Sequence, residues 1–99
     1  MLNINKELSG NALTVCLEGR LDTTTAPELE AELNGSLSGV EELTLNFEKL
    51  DYISSAGLRV LLSAQKQMNA KGGMKIVGVN DTIMEIFEVT GFSDILTIE

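Results

Sequence analysis

Apolar residues in this chain change their spacing as the sequence proceeds, and that change constrains the fold more than any other feature. Leu2 and Ile4 alternate with Asn3 and Asn5, and Leu13, Val15 and Leu17 alternate again after the turn residues Ser9-Gly10-Asn11. A period of two places one face of a strand in a core, so these segments predict an antiparallel hairpin. Leu29, Leu33 and Leu37 then recur at every fourth position, the stripe of an amphipathic helix. Thr25 followed by Glu28 has the form of a capping box, and Pro27 suits a first helical turn, where its missing N–H is of no consequence. Glu28, Glu30 and Glu32 near that helix start match the positive end of its dipole and are read as a solvated face.

The remainder repeats the exchange. Leu43-Thr44-Leu45-Asn46-Phe47 alternates as a strand, and Leu58, Leu61, Leu62 and Met68 form a second helical stripe stopped by Gly72-Gly73, with Lys71 in the last turn. Met74 to Val79 is a short apolar strand. Asn80 or Asp81 caps a third helix bearing Ile83, Ile86 and Phe87 and ending at Gly91, and Ile95 to Ile98 reads as a last strand. The expected order is β-β-α-β-α-β-α-β, an α/β fold in a single domain over residues 1–99. Strands that alternate with helices pair in parallel, so the sheet is expected to be mixed, of about five strands, with the antiparallel hairpin at its N-terminal end and three main helices.

Composition removes several function classes. There is no histidine, which excludes Ser-His-Asp and Cys-His triads and imidazole metal sites. The single cysteine, Cys16, cannot form an internal disulfide and lies in an apolar run, which is expected of a small core or sheet-face residue in a reducing cytoplasm. The apolar stretches are too short to span a bilayer, and MLNINKELSG has no apolar signal region. A net charge of −8 opposes non-specific nucleic-acid binding. That charge is uneven: residues 1–51 carry ten acids and three bases, whereas Tyr52 to Lys75 carries Arg59, Lys66, Lys71 and Lys75 and no acid. The basic segment suits either a solvated helix face or a recognition surface.

Two serines remain as candidates for chemistry. Ile53-Ser54-Ser55-Ala56-Gly57 has the serine and trailing glycine of a nucleophile elbow, but Ile53 replaces the leading glycine and no histidine base exists. No phosphate-cradling glycine loop and no cofactor motif is present, carboxylates at these helical spacings do not build a metal site, and the reading is of a binder, with no cofactor and no metal. Ser54 and Ser55 stand where a helix begins at the C-terminal end of a parallel strand, the edge at which open α/β sheets meet ligands. One of them is expected to cap that helix; the other hydroxyl is free for presentation or modification.

Here the chain resembles the STAS domains, and among them the bacterial anti-sigma factor antagonists. The segment Tyr52-Ile53-Ser54-Ser55-Ala56-Gly57-Leu58 is similar to the family's F-[IM]-D-S-[ST]-G-L, and Gly19-Arg20-Leu21-Asp22 with Ala26-Pro27 to its G-x-[LI]-D. Lys71-Gly72-Gly73 and Phe87-Glu88-Val89-Thr90-Gly91-Phe92 match later landmarks in order. The resemblance implies a domain that binds an anti-sigma factor which is also a serine kinase. That kinase phosphorylates the acceptor to end binding, and a serine phosphatase restores it. Carried onto this chain, the acceptor is Ser55, with Ser54 second. The partner-binding surface comprises Asp22, Thr23, Thr24, Ser54, Ser55, Ala56, Gly57 and Arg59. Ser54 replaces the family's Asp and Ala56 its second Ser or Thr. Those departures favour the alternative, a constitutive STAS interaction module in a transporter-associated or stress-signalling complex. Nucleic acid and membrane are not expected partners, and monomer and weak dimer both remain open.

Overall fold

The computed structural model describes residues 2–99. It contains strands β1 (Leu2–Ser9), β2 (Ala12–Leu21), β3 (Glu42–Ile53) and β4 (Met74–Val77), and helices α1 (Ala26–Ser36), α2 (Ser55–Asn69) and α3 (Asp81–Thr90). The sheet order is β1-β2-β3-β4. The β1–β2 hairpin is antiparallel, and β2–β3 and β3–β4 are parallel, so the expected mixed α/β architecture is present.

Successive parallel strands laid side by side through right-handed crossovers place their helices on one face. Alternation in β2 and β3 sends Leu13, Val15, Leu17, Leu43, Leu45 and Phe47 to that face, where all are buried. The predicted stripe of α1, Leu29, Leu33 and Leu37, is buried against it, as are Leu58, Leu61 and Met68 of α2. Leu62 is only half-buried, and the inner face of α2 is completed instead by Val60, Ala64 and Gln65. From α3, Ile83 and Phe87 close the core, with the Phe87 ring 6.4 Å from that of Phe47. The opposite face of the sheet carries Thr14, Cys16, Thr44 and Asn46, all half-buried, which makes Cys16 a sheet-face residue.

Several details differ from the reading of the sequence, and β4 stops at Val77, two residues short of the expected Val79. β3 continues past Phe47 to Ile53, paired with β2 through two irregularities that each add a residue to β3. Its buried positions therefore run Phe47, Leu50, Ile53, a spacing of three that hides the strand. The expected fifth strand is reduced to one parallel bridge, Ile76 with Ile98, held by Ile76 N–H to Thr97 O and Glu99 N–H to Ile76 O, both 2.8 Å. The chain before it is spent on Gly91, left-handed at φ 81°, and a single 3₁₀ turn at Phe92–Asp94. Finally, α2 ends at Asn69, so Lys71 lies beyond it and donates from Nζ to Leu37 O at 2.5 Å.

The first turn of α2 lies hard against the ends of β2 and β3. A Cβ on buried Gly57 would sit 2.7 Å from Leu21 Cγ and 2.8 Å from Ile53 Cγ1. In α1, by contrast, a Cβ on Gly35 meets nothing within 4 Å. Gly57→Ala is expected to destabilise by about 1–3 kcal/mol through overpacking, and Gly35→Ala to stabilise by about 0.5–1 kcal/mol through helix propensity. Urea unfolding of the two variants checks both signs.

Candidate functional site

Parallel pairing sets Arg20 beside Tyr52 and Leu21 beside Ile53, so two loops leave the sheet side by side at its C-terminal edge. The Ser54 N–H donates to Leu21 O at 2.9 Å, fastening the β3–α2 loop to the end of β2. Ser54 and Ser55 thus lie next to the loop of Asp22, Thr23 and Thr24. From the far side Asn80 donates through Nδ2 to Leu50 O at 2.9 Å, while its Oδ1 accepts from Ile83 N–H at 2.8 Å. That bond settles which residue caps α3 and ties the helix to the same sheet edge.

The cap of α1 differs from expectation. Thr25 has α-helical backbone angles and makes no side-chain bond into α1. The box is instead formed three residues earlier. Asp22 Oδ1 accepts from Thr24 N–H at 3.0 Å and Thr25 N–H at 3.1 Å, and the Asp22 N–H donates to Thr25 Oγ1 at 2.9 Å. Asp22 O also accepts from Ala26 N–H at 2.8 Å, the geometry of an N-cap residue. Thr25 is buried, its hydroxyl donating to Arg20 O at 2.8 Å, and this bond to β2 fixes the register.

These donors, led by the Thr25 N–H, hold the Asp22 carboxyl below its ordinary value of 3.8, with Arg20 adding a weaker coulombic pull. Arg20 Nε stands 3.8 Å from Asp22 Oδ2, and its guanidinium lies 4.5 Å above the Tyr52 ring. A depressed folded value means that the carboxylate's contribution to stability is whole above the unfolded value and fades as pH falls through the folded one. The Asp22 carboxyl is therefore expected to titrate below 3.8 when followed by carbon-13 NMR. In Asp22→Asn, which keeps an acceptor at Oδ1, the corresponding acid-side slope of stability against pH disappears.

At α2, Ser54 occupies the N-cap position with extended backbone, yet its side chain makes no cap bond. With its N–H committed to β2, its Oγ is buried and has no hydrogen-bond partner among the described residues. The capping role expected of one serine is therefore filled by neither. Ser55 is the first residue of α2 and is exposed, as are Thr23, Thr24 and Arg59, while Ala56 is half-buried. Gly57 is buried, and its role is to let α2 approach Leu21. An idle buried hydroxyl is a burden, so Ser54→Ala is expected to leave stability within about 0.5 kcal/mol or raise it, where a lost cap costs about 1 kcal/mol. Thermal unfolding distinguishes the two.

Among the described residues no helix is long and apolar enough to cross a membrane. Comparison with known proteins extends these observations. BtrV of Bordetella bronchiseptica is 38% identical over 88 residues, covering 87% of this chain and 76% of BtrV. The anti-sigma-B factor antagonist of Staphylococcus aureus is 33% identical over 97 residues, covering 96% of this chain and 90% of its own length. Among solved structures, an anti-sigma factor antagonist from Mycobacterium paratuberculosis superposes with a TM-score of 0.89 at 18% identity, over 99% of this chain and 85% of that one. The antagonist SpoIIAA in its unphosphorylated form superposes at 0.77 with 19% identity, over 98% and 87%. The model of the STAS domain matches residues 3–99. With that match across the fold and the sheet edge described above, the chain belongs to the STAS domain family.

Proposed function

We propose that this STAS domain is an anti-sigma factor antagonist of the cytoplasm, whose binding to an anti-sigma factor with serine-kinase activity is ended by phosphorylation of Ser55. The observation that carries the reading is the exposed Ser55 at the start of α2, beside the Asp22 loop, and the resemblance of its segment to the family's motif assigns it the acceptor position. The Staphylococcus aureus relative carries the name of an anti-sigma-B factor antagonist, and a solved Bacillus SpoIIAA is in a phosphorylated form.

Modification moves the γ-phosphoryl of ATP to Ser55 Oγ: the bond to ADP breaks, the bond to Oγ forms, and the hydroxyl proton is released. A phosphatase reverses the change by hydrolysing the ester. The new group brings about −1.5 to −2 charge at pH 7. Facing solvent at a helix start, it leaves the fold intact; pressed against a partner, it must be desolvated and meets the partner's acids. A loss of about 3–4 kcal/mol weakens association several-hundred-fold. Asp22, Thr23, Thr24, Ala56 and Arg59 flank Ser55 in this docking surface, from which burial removes the expected Ser54 hydroxyl and Gly57.

The second reading is a constitutive interaction module. It is favoured by Ser54, whose buried hydroxyl stands where the family has a carboxylate. Incubation with the partner kinase and ATP is expected to add one phosphate, mapped to Ser55 by mass spectrometry and abolished in Ser55→Ala. Ser55→Asp is expected to lose the partner while unfolding like the wild type. Binding that persists after complete modification overturns the switch and leaves the constitutive reading.

A further inference from the structure

Arg59 lies one turn beyond Ser55 on α2, and both residues are exposed. Residues four apart on a helix share a face, with Cβ atoms about 5–6 Å apart, and an anion placed N-terminal to a cation is the favourable order. Among the described residues Arg59 makes no ion pair. The other arginine at this edge is engaged: Arg20 stacks on Tyr52 and faces Asp22. The remaining cation of α2, Lys66, lies in its last turn, far from Ser55. Arg59 is thus an unengaged guanidinium held by a rigid helix within side-chain reach of the serine hydroxyl.

We propose that Arg59 is the built-in receptor for a phosphate on Ser55, an inference that rests on Ser55 being the modified residue. A guanidinium presents donors in a fork that matches phosphate oxygens, and charge-assisted bonds of this kind exceed neutral ones in strength. Before modification the Arg59 charge faces outward and is available to acidic groups of a partner. After modification it turns to the phosphate of its own chain. Phosphorylation then acts twice on the docking face, adding an anion and withdrawing a cation.

The test uses the full chain with phosphoserine installed at position 55 by genetic encoding, so that no partner kinase is needed. Phosphorus-31 NMR follows the second ionisation of the phosphate, which lies near pH 6 for free phosphoserine. A neighbouring cation favours the dianion and lowers that midpoint. Arg59→Ala is expected to raise it by about 0.3 pH units or more, the scale of an exposed pair at this spacing. Arg59→Lys restores part of the difference, and Arg20→Ala leaves the midpoint near that of the wild type. Equal midpoints in wild type and Arg59→Ala, or a larger shift from Arg20→Ala, overturn the proposal. An Arg59-dependent midpoint in a chain whose Ser55 the partner kinase leaves unmodified upholds the receptor and defeats the phosphorylation reading, so the two fail separately.

Discussion

The parallel pairing of β2 with β3 is the constraint on which everything at the sheet edge depends. By setting Leu21 opposite Ile53 it brings together two loops that are more than thirty residues apart in sequence. The Ser54 N–H bond to Leu21 O and the absence of a side chain at Gly57 then draw the start of α2 against the end of β2. Apolar burial supplies the force, since Leu21 and Ile53 both lie in the core, and each such side chain contributes about 1.5–3 kcal/mol when buried. The exposed residues Thr23, Thr24, Ser55 and Arg59 are carried on this frame and contribute little to it.

Of the side chains assigned to the proposed docking face, Asp22 also holds the edge together. Its Oδ1 is occupied by the backbone of its own loop, which caps α1, and its Oδ2 faces Arg20 at 3.8 Å, a distance at which an exposed pair is weak. A phosphate on Ser55 would enter an edge where that carboxylate is already ionised and held in place, so it would change the field of the surface more than its shape. Such a change needs no rearrangement of the core. It also suits a chain with net charge −8, in which the cations near the serine are few and each one matters.

Much of this was legible in the residues, and what was not has physical causes. The hairpin, the parallel order and the stripes of α1 and α3 follow from spacing alone, because one buried face dictates that spacing. The cap of α1 did not, since Asp22-Thr23-Thr24-Thr25 offers overlapping capping registers, and the bonds of Asp22 with Thr24 and Thr25 and of Thr25 Oγ1 with Arg20 O select one. The full length of β3 was masked by its irregular pairing, which replaces alternation with the run Phe47, Leu50, Ile53. Ile95 to Ile98 is apolar enough for a strand, yet only Leu96 is buried and two backbone bonds join the segment to β4. Of the serines, the pattern located the helix start but not the burial of Ser54 Oγ, which depends on how the loop is fastened to β2.

The edge built by β2 and β3, with Ser55 at its rim, is proposed as the surface a partner covers. The most direct measurement is an amide chemical-shift footprint of the unmodified nitrogen-15-labelled chain as its anti-sigma partner is added. The perturbed amides are expected to cluster at Thr23, Thr24, Ser55, Ala56 and Arg59, with Thr14, Cys16 and Asn46 unmoved. A footprint centred on that opposite sheet face, with Ser55 unaffected, would contradict the proposal.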